Sequence, residues 1–312
     1  MAKGTSSSPD HNLAVEQFVQ LNREFYSGDP AQYFKSRFHL LMLAAGKSEE
    51  LGELLVDGVR YEGLLAKVDR SESSDESKRL EQAFLTTEAE VLLHHASEAL
   101  LRLFFAHAEG APCPWLECAR LRNFADFNAR VERLRDQPIP AEQIGRAFLG
   151  PVFKEFSDDY AENVKVVERF LHLVARRVLE DKNLYNATKH GLAVLAAPYS
   201  LVMTDDQTGE VAASVTGQTI NFLEVYTAED KTKTWRRTTR WLSLKQSLWL
   251  TSLVIAEMTS LWAIARARYT DADIDGVEVL TSDALDQLAA ANGPSVTRSS
   301  FSLDYYLSQT QP

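Results

Sequence analysis

The segment Tyr185-Asn186-Ala187-Thr188-Lys189-His190-Gly191 gathers the side chains in this chain best suited to chemistry. An imidazole moves a proton near neutral pH or holds an anion, an amide both donates and accepts, and an ammonium attracts phosphate. Two conformations give these residues different meanings. If a helix runs on to Ala196, before Pro198, then Leu184, Ala187, Gly191 and Leu195 share one face. Asn186 and His190 then stand one turn apart on the other side, with Lys189 nearby, an arrangement that can hold a phosphate or a base edge. If the helix stops here instead, Lys189 and His190 suit its negative C-terminal end. Gly191 then takes the left-handed position after the helix, and Leu192 supplies the accompanying apolar contact.

Other clusters compete with this one. Glu90, His94, Glu98 and Arg102 form an i, i+4 ladder, and Glu168 with His172 repeats the spacing. Metal-binding bundles place a His three residues after a Glu, a spacing that no His here has. The ladder is therefore expected to be a charged helix face, solvated or salt-bridged, with no metal bound. Lys231, Lys233, Arg236, Arg237 and Arg240 bring five positive charges into ten residues, with no acid among them, around Trp235. In a strand, Lys231, Lys233, Trp235 and Arg237 alternate onto one face, with Arg236 and Arg240 opposite. Such a face suits stacking and phosphate pairing with single-stranded nucleic acid. It equally suits an edge strand kept from aggregating by charge, or a patch that docks on an acidic neighbour.

Two family resemblances follow from the first segment. The Tyr185-x3-Lys189 spacing looks like the catalytic pair of short-chain dehydrogenases, but no Gly-rich dinucleotide turn precedes it, and that chemistry is set aside. The Asn186-x3-His190 spacing, after an earlier helix carrying Glu88, His94, His95, Glu98 and Arg102, resembles HEPN domains. These are all-helical prokaryotic domains of defence and toxin systems. The likeness spans about residues 78–110 and 158–197. Active members carry an Arg before the polar residue and cleave RNA without metal at a composite dimer interface. Here that position holds Tyr185, so the charge that would meet the scissile phosphate is missing. The resemblance therefore implies a non-catalytic binding module acting as a homodimer, with RNA, a nucleotide or a protein as its partner. Asn186, Lys189 and His190 would line its site, and Lys231, Lys233, Trp235 and Arg236 would add charge and an aromatic surface. The alternatives are a metal-independent endoribonuclease, with His190 as general acid or base and Asn186 orienting the RNA, and a purely structural subunit.

Composition narrows the classes further. Lysine and arginine number 33 against 44 acids, a net charge of −11, which excludes a general nucleic-acid coat. The two cysteines, Cys113 and Cys118, support neither a zinc site nor a disulfide framework. No P-loop, G-x-S-x-G or H-E-x-x-H occurs, no cofactor is implied, and the first residues lack an apolar leader core. A cytoplasmic location is expected. Ser247–Ala265 contains a single charge, Glu257, and approaches membrane length. Its scattered Ser and Thr and the following Arg266 and Arg268 mark a buried core helix rather than a span.

The elements that must position these groups follow from hydrophobic period. With only 14 glycines and 10 prolines in 312 residues, long helices are expected. Three stripes repeat at 4-3-4-3 spacing: Leu85 to Leu103, Tyr160 to Val178, and Leu244 to Ala265. Gly110 and Pro112 stop the first of these. Residues 49–67 are expected to be helical despite Gly52, Gly58 and Gly63. The stretch 199–240 is rich in Val, Thr, Tyr and Trp and reads as strands. The fold expected is mainly α: a multi-helix bundle with a small antiparallel β-meander insertion. Its parts are a disordered lead at 1–12, a helical bundle at 13–198, the β insertion at 199–240, a long central helix at 241–270, and a short helix with a loose tail at 271–312.

Overall fold

A computed structural model describes residues 13–67, 75–150, 159–189, 194–205, 207–227, 233–274, 277–291 and 301–304. The expected lead at 1–12 lies outside them, as does most of the expected tail. The fold is mainly α with an antiparallel β-meander insertion. In chain order, the helices are α1 (Val15–Phe25), α2 (Pro30–Gly46), α3 (Ser48–Asp57), α4 (Asp75–Ala108), α5 (Pro114–Arg120), α6 (Phe124–Asp136) and α7 (Ala141–Ile144). A π-helical turn, Gly145–Leu149, continues α7. Then come α8 (Tyr160–Glu180), α9 (Lys182–Thr188), α10 (Leu244–Thr270) and α11 (Ser282–Ala291). A small hairpin pairs β1 (Val59–Tyr61) with β2 (Leu64–Ala66). A larger antiparallel sheet runs β3 (Val194–Thr204), β4 (Val211–Thr227), β5 (Lys233–Leu242), β6 (Phe301–Asp304) in spatial order.

The three apolar stripes become three buried faces. Leu85, Ala89, Leu92, Ala96 and Leu103 on α4 are all buried, as are Val164, Val167, Leu171, Val174 and Val178 on α8. On α10, Leu248, Thr251, Ile255, Met258, Trp262 and Ala265 are buried, and so is Glu257. α10 is long and apolar enough to cross a membrane, yet 67% of its most apolar window is buried inside the protein itself. Helix ends follow local chemistry. Asn123 caps α6 by accepting from the Ala125 amide, Pro114 opens α5, and Gly110 leaves α4 at φ +70°.

The chain divides into two compact units. One comprises Met1–Tyr33, Ser97–Leu179 and Val254–Ser282, and is helical. Its centre is an aromatic cluster in which Tyr26 stacks on Tyr269 and lies 4.8 Å from Trp262, ring to ring. Trp262 donates to the Gly28 carbonyl and Tyr269 to that of Ala111, so each buried polar tip is satisfied. In the same unit Glu168 accepts from the Ile139 amide, and His172 donates to the Gln137 carbonyl. This i, i+4 pair tethers the proline-rich stretch after α6 to α8.

The other unit comprises Phe34–Ala96, Glu180–Leu253 and Asp283–Pro312. It holds both sheets. The inner face of the larger sheet carries Ile220 and Phe222, which close a core with Leu184 and Ala187 of α9. β3 is an edge strand, and it is there that Pro198 is tolerated.

Three expectations need correction. The strand region begins at Val194, not 199, and ends at Leu242. The tail is not wholly loose, because Phe301–Asp304 adds a fourth strand beside β5. Residues 49–67 are not one helix. α3 ends at Asp57, Gly58 adopts φ +95°, and Glu62-Gly63 turn a hairpin with both φ values positive.

Candidate functional site

α9 positions the first candidate residues, and it is short. Its last helical residue is Thr188, whose hydroxyl bonds back to the Leu184 carbonyl at 2.9 Å. The continuous helix to Ala196 does not form. Val194 already pairs with Phe222 and Leu195 with Asn221, so the backbone groups that a longer helix would satisfy are satisfied by β4. Leu184 and Ala187 are buried, whereas Leu195 is 73% exposed, so these residues do not share one face. His190 and Gly191 lie outside the described residues. Lys189 donates to the Asn186 amide oxygen at 3.0 Å, and its ammonium stands 5.7 Å from the Tyr185 ring centre. The Tyr185 ring in turn stacks on His94 at 4.1 Å and 13°. Tyr185 is thus an aromatic ring laid flat on a buried imidazole.

The α4 ladder is not a solvated face. Glu90 and His94 are each only 6% exposed. Ser247 of α10 donates its hydroxyl to the Glu90 carboxylate. Periodicity placed these residues on one side of α4 but carried no information about what covers that side. In the helical unit Glu98 does pair with Arg102, whose guanidinium also reaches the Leu121 carbonyl and lies over the Phe127 ring. Among the described residues no group of three or more His, Cys, Asp or Glu is placed to hold a metal ion. Cys113 and Cys118 are free thiols, and burial pushes Cys118 up to about 12.

β5 alternates as its spacing implies. Lys233, Trp235 and Arg237 fall on the outer face of the sheet, opposite Thr227, Val225 and Leu223 of β4. Arg236 and Arg240 fall on the inner face. Lys231 lies outside the described residues. Most of the described cations have internal partners. Arg240 pairs with Asp181, with 13% and 5% of the two side chains exposed. Arg237 donates to the Asn221 side-chain oxygen at 3.2 Å. Arg236 stands in register with Glu224, which accepts from Asn183 and Thr238. Asn221 ties the sheet together by also accepting from Thr239 at 2.6 Å and donating to the Leu195 carbonyl.

What remains open on the outer face is apolar. Trp235 is 58% exposed, with Val225 directly across from it, Leu223 opposite Arg237, and Leu195 one diagonal further. Sequence reasoning singled out Trp235 and missed its neighbours. The signal was present in the alternation of T-I-N-F-L-E-V-Y-T, where Leu223 and Val225 share the parity of Asn221 rather than that of Phe222.

In the helical unit a cleft of about 730 Å³ is lined by Arg146, Arg268, Tyr160 and Tyr269, together with Glu109 and Glu142. Arg146 bonds to the Ala108 carbonyl and to Glu142, and Arg268 bonds to the Arg146 carbonyl. Both guanidiniums thus bond to backbone carbonyls, and Glu142 pairs with Arg146.

No described protein family, curated protein or solved structure matches this chain.

Proposed function

We propose that the chain works by binding rather than by catalysis, as an interaction module that docks an acidic protein segment on the outer face of β4 and β5. The observation that carries this reading is the exposed apolar group Leu195, Leu223, Val225 and Trp235, between 52% and 73% exposed, on an ordered sheet. Contiguous exposed apolar surface of this kind marks partner sites. An indole beside aliphatic side chains supplies the anchor that protein interfaces use at their centres.

Charge decides between partner classes. A nucleic-acid groove needs several cations free to track phosphates. Here Arg240 is held by Asp181, Arg237 by Asn221, and Arg236 faces inward. Leu and Val side chains cannot stack bases as aromatic rings do. Lys233, exposed beside Trp235, suits a carboxylate flanking an apolar anchor. A second copy meeting this face about a twofold axis would bring Lys233 toward its own equivalent, which disfavours that occupant.

The test is a random-peptide selection on the immobilised full chain, counter-selected on the Trp235→Ala, Lys233→Glu variant. A labelled mixed-sequence RNA serves as a parallel probe. Peptides combining Asp or Glu with an aromatic or Leu anchor should be enriched on the wild type, and their binding should weaken with salt. Absence of such enrichment overturns the reading. So does RNA binding lost in the same variant, or RNA cleavage abolished by His190→Ala.

A further inference from the structure

We infer that the cleft beside the end of α4 in the helical unit is a ligand site, and that it takes a small zwitterion of amino-acid type, with one carboxylate and one ammonium on an apolar or aromatic body. Its lining comes from a single compact unit. Glu109 follows α4, Glu142 lies on α7 and Arg146 on the π-helical turn, Tyr160 opens α8, and Arg268 and Tyr269 stand near the end of α10. The volume of about 730 Å³ falls within the range of about 300–1,000 Å³ that pockets for small organic ligands occupy.

The walls of this cleft are built around glycines. Gly145, in the π-helical turn, lies directly against the Tyr160 hydroxyl, and a Cβ there would collide with it. Gly110 takes φ +70°, and a Cβ on it would stand 3.0 Å from the Arg146 guanidinium. Both glycines thus make room for a side chain of the cleft. The π-helical turn interrupts regular helical hydrogen bonding, a feature that recurs at functional sites. Tyr269 stacks one face of its ring on Tyr26 and donates its hydroxyl to the Ala111 carbonyl, which fixes the ring as a wall.

Charge sets the ligand class. Four charged side chains line the cleft, two of each sign. Arg146 and Glu142 are already paired with each other. Arg268 and Glu109 are not. Among the described residues the Arg268 guanidinium makes one hydrogen bond, to the Arg146 carbonyl, and the Glu109 carboxylate makes none. Partial burial, opposed by Tyr269 and reinforced by the like charge of Arg146, lowers the Arg268 pKa, so its charge lacks compensation within the chain. A cation and an anion that share a cleft without pairing are complementary to a ligand that carries the opposite pair. A simple anion would leave Glu109 unmatched, and a simple cation would leave Arg268 unmatched. A polyphosphate meets no positive field here. Beyond the lining, Asp159, Glu162 and Asp271 stand on or beside the same elements against Arg266 alone, with Glu162 paired to Lys165.

Isothermal titration calorimetry of the full chain against the standard amino acids tests this. At least one with an aromatic or large aliphatic side chain should bind saturably, with a Kd of about 1 mM or below. Its decarboxylated amine and its deaminated acid should each bind at least about 10-fold more weakly, the worth of one charged hydrogen bond. Arg268→Ala should abolish the preference for the amino acid over the amine. Glu109→Gln should abolish the preference over the acid. Each variant should keep the other preference. The Glu109 side chain holds nothing within the chain, so Glu109→Gln probes the site without disturbing the fold, and its circular dichroism should match the wild type. Absence of saturable binding by any amino acid overturns the inference, as does binding indifferent to both variants. Inorganic phosphate or pyrophosphate that binds more tightly than any amino acid, and is lost in Arg268→Ala, would make this an anion site and overturn it equally.

Discussion

His107 accepts the hydroxyl hydrogen of Tyr26 at its Nε2, 2.7 Å away, because its Nδ1 gives its own hydrogen to the Leu103 carbonyl at 2.6 Å. Both residues are fully buried or nearly so. The arrangement holds the imidazole neutral, and burial lowers its pKa from 6.5 to about 4. Glu257, in the same unit, is buried within α10 with Glu278 as a like-charged neighbour, and both effects raise it from 4.5 to about 8. The two groups act on stability in opposite directions.

For His107 the unfolded chain takes up a proton before the folded one does. Stability from this group is complete above pH 6.5 and declines as pH falls toward 4. Over that range the decline amounts to about 3 kcal/mol, from roughly 1.4 kcal/mol per pKa unit. For Glu257 the folded state keeps its proton while the unfolded state loses it. Stability is complete below pH 4.5 and declines as pH rises toward 8. Between pH 4.5 and 6.5 the two slopes cancel. Urea midpoints of His107→Gln should therefore fall with rising pH across that window, where the wild type is flat with respect to these two groups. A flat profile in the variant would show that His107 does not titrate as its surroundings dictate.

Glu257→Gln should produce the opposite slope in the same window. It should also be more stable than the wild type at pH 7, on the order of 3 kcal/mol, because the amide needs no proton to stay neutral. The gap should vanish near pH 4.5. A variant that is less stable than the wild type at pH 7 would mean that the carboxylate is ionised and held by a cation.

The Asp181–Arg240 pair joins the residue before α9 to the end of β5, and both side chains are largely buried. Asp181→Ala should cost about 3–5 kcal/mol, since it strands a buried guanidinium. Replacing both partners with apolar residues, Asp181→Leu with Arg240→Met, should recover most of that loss. Urea denaturation of the two single variants and the double variant gives the coupling. An additive result would place both groups in effective contact with water.

The helices that form the cores were legible in the residues alone, because a 3.6-residue period in apolar side chains is a local property that survives any tertiary arrangement. Leu85 to Leu103, Val164 to Val178 and Leu248 to Ala265 were legible for that reason, as was the stop at Gly110. The alternation around Trp235 was legible in the same way, with a period of two. Long-range contacts settled which side of each element meets water and which charges meet each other. Glu90 and His94 share a face by spacing, but Ser247, 157 residues from Glu90, takes part in making that face an interior one. Arg240 looked like part of a cationic ribbon until Asp181, 59 residues earlier, paired with it. Residues 194–196 continued a helical pattern, yet pairing with β4 claimed their backbone. In each case a contact distant in sequence outweighed a local preference worth at most about 1 kcal/mol per residue.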